Sequence, residues 1–330
     1  MSRKRWLALI AVAMLLVVSL VVNAATSTIF SNTNSIFETM GQDWTEQIIE
    51  SGEDFGGSIV VLEVNGAIQD TGDGGLFATT GYRHQMFLSQ IEHAAKNPTV
   101  EGIIIRVNTP GGGVVESAEI HEKIVQAQFE YDKPIFVSMG SMAASGGYYI
   151  AAPADKIVAS PQTITGSIGV IMESINVAEL AENYGVKVNT IKSGPYKDIM
   201  SATREMTDGD RAILQSLIDE SYDEFVRIIA EGRNMSEAEV REIADGRIYS
   251  GRQALDLNLV DELGSLDDTI LMMQELVGKV DVIKYEPHIG FPSFLSMSMK
   301  QWFNGDHELA TLERILSTHR SPTLKYIYTN

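Results

Sequence analysis

The chain has 330 residues, 44 of them acidic and 25 basic for a net charge of −19, and it contains no cysteine. The missing cysteines exclude disulfides, zinc–thiolate sites and a cysteine nucleophile. The acidity argues against a nucleic-acid partner, because phosphate binding wants a basic patch.

Arg3, Lys4 and Arg5 precede the apolar run from Trp6 to Val22. That run is at the short end of the roughly 17–25 residues needed to span a bilayer. Three cations before it and none just after it place the N-terminus in the cytoplasm and the rest outside. A cleaved signal peptide is the competing reading. Val22-Asn23-Ala24 only loosely resembles an A-x-A site, however, and the apolar core exceeds the usual ~7–15 residues. Residues 1–25 therefore read as a single-pass membrane anchor, and 26–57 as a polar stalk with a short helix over Trp44–Ile49.

The folded domain begins at Ser58–Val64, a strand closed by Asn65-Gly66. A glycine-rich loop at Thr71–Gly75 follows. His84–Lys96 has helical spacing and ends at Asn97-Pro98. Gly102–Val107 is a second buried strand. It leads straight into Asn108-Thr109-Pro110-Gly111-Gly112-Gly113 and then a helix over Val114–Phe129. Strand, glycine loop and helix is also the shape of a phosphate-binding turn, but neither G-x-G-x-x-G nor the P-loop Gly-Lys-Ser/Thr is present. An oxyanion hole uses the same physics, exposed backbone N–H groups aimed at a negative oxygen. A tight structural turn is the plainer alternative.

Pro134–Met139 is a third buried strand, followed by Gly140-Ser141-Met142-Ala143-Ala144-Ser145-Gly146-Gly147-Tyr148-Tyr149. Ser145 thus sits where a strand turns into a helix, among small residues that admit a close backbone approach. That position suits a nucleophile and equally suits a packing site. It is not the G-x-S-x-G elbow, since Ala143 replaces the first glycine.

Lys156–Ala159 and Ser167–Ile171 read as strands, Val177–Tyr184 as a helix behind Asn176, and Val186–Ile191 as a strand. Lys192–Asp198 is a loop with two turn formers. Thr207 with Asp210 and Ser236 with Glu239 look like capping boxes. Ser250 opens a shorter helix, Ser265–Val277 is another, and Asp281–Tyr285 is a final strand. Alternating strands and helices argue for an α/β domain with a mostly parallel sheet over 58–285. The tail 286–330, with one helical patch at His307–Leu316, reads as peripheral.

A serine nucleophile needs a base. The six histidines are His84, His93, His121, His288, His307 and His319, and none lies between residues 122 and 287. A Ser-His-Asp triad is possible in space, with nothing in the sequence pointing to it. Lysine is the other option. An ordinary lysine, with a pKa near ~10.4, is almost wholly charged at neutral pH, but burial can shift it by about 3 units. Lys197 stands on a Gly-Pro loop after an expected strand, where function often sits. On spacing alone the plainer reading, an exposed loop lysine, is the stronger one.

Four motifs occur in one order: Asn108–Gly113, Ser145-Gly146-Gly147-Tyr148-Tyr149, Thr165-Gly166-Ser167-Ile168-Gly169 and Ser193-Gly194-Pro195-Tyr196-Lys197. Together they resemble the bacterial signal peptide peptidase A family in its short, single-copy form. The resemblance covers roughly residues 56–285. It implies a ClpP/crotonase-like fold of repeated strand-strand-helix units and a serine-lysine dyad protease without a cofactor or metal. Ser145 matches the family nucleophile, Lys197 its general base and Ser167 the hydroxyl that orients the lysine, with an oxyanion hole at Gly112 and Gly146. In the family's double-length form, serine and lysine come from different halves of one chain. The single copy here implies a homo-oligomeric ring with the dyad shared between subunits. The implied substrates are peptides, remnant signal peptides among them, at the membrane surface. A silent anchored scaffold and an acyl-CoA enzyme are the rival readings.

Overall fold

The computed structural model describes residues 44–54, 56–70, 82–287 and 324–328. The expected anchor, most of the stalk, the Thr71–Gly75 loop and the His307–Leu316 patch lie outside these residues. Among the described residues no helix is long and apolar enough to cross a membrane. The chain divides between Thr45 and Glu46 into two units. The sheet and its helices lie in the second, apart from the first two residues of strand β1.

The strands are β1 (Trp44–Glu50), β2 (Ser58–Asn65), β3 (Val100–Thr109), β4 (Gly111–Gly113), β5 (Ile135–Ala144), β6 (Lys156–Ala159), β7 (Ile164–Gly166), β8 (Ile248–Ser250), β9 (Glu262–Leu263), β10 (Asp281–Pro287) and β11 (Lys325–Ile327). The helices are α1 (His84–Lys96), α2 (Val114–Tyr131), α3 (Gly146–Ala151), α4 (Ala178–Asn183), α5 (Asp208–Arg233), α6 (Glu237–Ile243), α7 (Gly251–Asp256) and α8 (Leu266–Val277).

The main sheet runs in the order β1-β10-β2-β3-β5-β6-β9, with β7 attached to β5 and β8 to β7. β10, β2, β3, β5, β6 and β9 run parallel to one another in that order. Strands buried on both faces need near-continuous apolar runs. Ile59–Leu62, Ile103–Ile105 and Ile135–Val137 supply them, all almost fully buried. Alternation sends Ile59 and Val61 to one face. There they meet Ile104, Phe136 and Val282, with Ile270 and Met273 of α8. On other contacts of the sheet, α1 packs on β2 and β3, while α2 packs on α1 and α3.

The mostly parallel α/β sheet follows the sequence expectation, and the capping boxes at Thr207 and Ser236 form as expected. Three local expectations are corrected. Trp44–Ile49 is strand, because the free edge of β10 offers a backbone partner that local propensity does not register. The strand expected at Ser167–Ile171 lies earlier, at Ile164–Gly166. Gly166 (φ +78°) and Ser167 (φ +51°) both take left-handed backbone, which breaks the pleat. Val186–Ile191 is not strand. Within this chain no described strand pairs with it, and Val186, Val188 and Ile191 are exposed.

Candidate active site

β5 ends at Ala144 and α3 begins at Gly146, so Ser145 alone makes the turn between them. Its backbone has φ 53° and ψ −115°, a region that costs a non-glycine residue of order 1–3 kcal/mol and persists only when its surroundings over-determine it. Those surroundings are hydrogen bonds. The Ser145 N–H donates to Gly166 O (2.7 Å), and its carbonyl accepts from the N–H groups of Tyr148 (2.8 Å) and Tyr149 (2.9 Å). Behind it α3 is buried throughout, anchored by Tyr148 Oη donating to Leu259 O at 2.8 Å. Ser145 itself is 1% exposed, and its Oγ has no hydrogen-bond partner among the described residues. A buried hydroxyl without a partner is unusual in a native structure and calls for an explanation.

The pairing of β5 with β7 is parallel and sets Ala144 beside Gly166. The next residue on each strand is therefore a serine, Ser145 and Ser167. Thr165 Oγ1 donates to Ala143 O and Thr163 Oγ1 to Gly140 O, both at 2.7 Å, which pins β7 to β5. Ser167 is buried and its N–H donates to Arg247 O at 2.7 Å.

The glycine loop closes the other side. Gly111 has φ +101°, and a Cβ there would lie 2.7 Å from Gly146 N. A Cβ on Gly112 would lie 1.8 Å from Ile68 O, and one on Gly146 would lie 3.1 Å from Gly112 N. Only glycine lets these backbones come so close. Ser145, Ser167, Gly112 and Gly146 thus converge.

Lys197 is different. It lies on an exposed run of turns, its N–H donating to Gly194 O at 3.3 Å. Since Ser145 Oγ has no partner, the two side chains do not bond within one chain. The described histidines do not bond it either. His84 is buried between Tyr82 (2.7 Å) and Glu119 (2.6 Å). His121 packs edge-on against Tyr149, where burial lowers its pKa.

One part of the site was not legible from sequence. The tail expected to be peripheral returns as β11, antiparallel to β4, with Tyr326 opposite Gly112. On its other edge Lys325 and Ile171 exchange two hydrogen bonds of 3.1 Å, and Tyr328 N–H donates to Pro110 O at 2.8 Å. An extended segment therefore lies between the glycine loop and the residues after Ser167. Tyr326 is fully buried, with ring centroids 4.9 Å from Tyr149 and 4.7 Å from Phe225, and its Oη donates to Ser221 O at 2.8 Å. Burial raises the phenol pKa of both Tyr149 and Tyr326. The alternation Lys325-Tyr326-Ile327-Tyr328 is the only signal, and it is too short to stand out.

The sequence pattern of peptidase family S49 matches residues 127–280. Over 314 residues the chain is 38% identical to an Enterococcus faecium protein provisionally named signal peptide peptidase SppA, covering 92% of this chain and 90% of that one. It is 37% identical over 223 residues to Protease 4 of Salmonella typhi, covering 68% of this chain and 35% of that protein. It is 30% identical over 219 residues to the chloroplastic serine protease SPPA of Arabidopsis thaliana, covering 64% and 32%.

Proposed function

The chain belongs to peptidase family S49 and is a serine protease, and on that footing we propose that Ser145 is its nucleophile and Lys197 its general base, in a ClpP/crotonase-like domain held at the membrane by residues 1–25. The observation that carries this reading is the strained Ser145 turn, with a buried, unpartnered hydroxyl beside the glycine loop. Such strain is characteristic of active sites.

In the proposed reaction the neutral Lys197 amine takes the Ser145 proton as Oγ bonds to the scissile carbonyl carbon. The N–H groups of Gly112 and Gly146 receive the resulting oxyanion. The C–N bond then breaks, the leaving amine takes the proton from Lys197, and water releases the acyl group by the same route in reverse. Ser167 orients the lysine. The acyl-CoA and silent-scaffold readings have no support from the family match.

Lys197 is supplied by a neighbouring copy. Two features support this. Ser145 and Lys197 do not hydrogen-bond within the chain, and the segment around Lys197 exposes Ile175, Leu180, Tyr184, Val186, Val188, Ile191 and Tyr196. Apolar surface on that scale is a feature of interfaces, and covering it would also bury the lysine and favour its neutral form.

The substrate is an extended peptide added as a strand to β4, in the way β11 now lies there. Small and aliphatic walls at Met142–Ala144 and Ile168–Ile171 suit the Leu- and Ala-rich remnants of signal peptides. A serine-directed fluorophosphonate probe tests the nucleophile. Labelling should fall on Ser145 and vanish in Ser145→Ala together with peptide hydrolysis, whereas turnover unchanged in that variant removes the assignment.

A further inference from the structure

Lys197 sits on backbone that no helix or strand holds. Turn bonds alone run through it, Lys197 N–H to Gly194 O, Ile199 N–H to Tyr196 O (3.1 Å) and Ser201 N–H to Asp198 O (3.0 Å). A general base must nonetheless be placed within hydrogen-bond reach of its proton donor.

The side chain next to it shows what does the placing. Asp198 Oδ1 accepts from Lys192 Nζ (2.7 Å) and from Arg204 Nη2 (2.8 Å), and Arg204 Nη2 also donates to Asp198 O (3.2 Å). The other arm of the guanidinium, Nη1, donates to Asp210 Oδ2 at 2.5 Å. Asp210 is fully buried at the start of α5 and is held by the capping box with Thr207. Its Oδ2 accepts from Thr207 N–H (3.0 Å) and Thr207 Oγ1 (2.9 Å), while its own N–H donates to Thr207 Oγ1 (3.1 Å). Farther along the same helix Phe225 packs against Tyr149 of α3, 5.1 Å between ring centroids. The Lys197 turn is therefore tied, within its own subunit, to the helix that packs against α3. Only a planar fork with rigidly spaced donors can hold two carboxylates in this way.

We propose that Arg204 is a positioning residue for catalysis, tying the Lys197–Asp198 turn to Asp210 and taking up the Asp198 charge beside the base, a role that presupposes Lys197 as the base proposed above. An Asp198 carboxylate left uncompensated would favour the charged form of a neighbouring lysine, the form that cannot accept a proton. Among the described residues the charged groups paired with Asp198 are Lys192 and Arg204. Beyond the guanidinium stand Asp210, and Glu205 and Arg211 of the adjoining cavity. Hydrogen bonds from Arg204 and then Lys192 hold the Asp198 carboxyl down to about 2. A depressed carboxyl contributes its stabilisation above its unfolded pKa and loses it as pH falls through the folded value. The tie is therefore charged throughout any assay above about pH 5, and Asp198 itself does not titrate there.

The test is the pH dependence of kcat/KM for the full chain in detergent on a fluorogenic peptide, with thermal unfolding of each variant. In Arg204→Gln, kcat should fall at least about tenfold with KM within about twofold, and the rising limb should move up by about half a unit, the effect of one unit charge at ~4–6 Å in water. Asp198→Asn/Arg204→Gln removes both charges, so the limb should return towards wild type while kcat stays low. Should Arg204→Gln fail to fold, Arg204→Lys keeps the charge without the fork and should lose kcat with the limb unmoved. A wild-type profile in Arg204→Gln, or a shift that persists in the double variant, or full kcat in Arg204→Lys, overturns the proposal. Lys197→Arg runs alongside. Substantial activity there sinks the base assignment itself, whatever Arg204 does.

Discussion

At the scale of residues the site is a set of backbone distortions that side chains must tolerate. Ser145 has φ 53° in a region that glycine enters freely and alanine does not. Ser145→Ala and Ser145→Gly should both be inactive, yet the glycine variant should be the more stable by about 1 kcal/mol, roughly 2–4 °C in melting temperature. Equal melting temperatures would mean that the turn is not strained in solution. Gly112 makes the complementary case. A methyl group there would have to share space with Ile68 O, so Gly112→Ala must displace the glycine loop. The expected loss is about 100-fold or more in kcat, the scale of removing one oxyanion donor. A loss confined to KM would place Gly112 outside the oxyanion hole. For the base, Lys197→Arg should be as inactive as Lys197→Ala, because arginine stays protonated at any accessible pH. Wild-type kcat/KM should rise with pH, since only the neutral amine accepts a proton.

At the scale of elements β11 matters most. It occupies the edge of β4 where an added peptide strand would lie, and Tyr326 fills the space between Tyr149 and Phe225. Deleting residues 324–330 should therefore lower KM for a peptide several-fold and lower the melting temperature at once, because a fully buried aromatic is lost. An unchanged KM would show that substrate takes another path. The sequence makes most elements readable, for identifiable reasons. Helix starts at Thr207, Ser236, Ser250 and Ser265 carry reciprocal capping boxes, which are local. The central strands carry unbroken apolar runs. What stayed hidden depends on distant partners. β1 is strand because β10 has a free edge. β11 is three residues long and meets β4 from more than 200 positions away. Ser145 and the glycines were readable as types in a pattern, whereas Arg204 acquires a role only once Asp198 and Asp210 are brought to its two arms.

At the scale of the whole molecule, one chain holds a nucleophile with a buried, unpartnered hydroxyl and, elsewhere, a candidate base on an exposed turn flanked by exposed apolar side chains. An assembly that covers the second surface and brings it to a neighbour's first would account for both. In such an assembly Ser145 of one subunit works with Lys197 of another. The most direct measurement is peptide hydrolysis by rings assembled from two inactive variants, Ser145→Ala and Lys197→Ala, after mass spectrometry of differently tagged subunits has shown that mixed rings form. Some interfaces in such rings join an intact Ser145 to an intact Lys197, so activity should reappear in proportion to their number. Mixed rings that form and remain inactive contradict the shared dyad, because only when both residues come from one chain does every site in them carry a lesion.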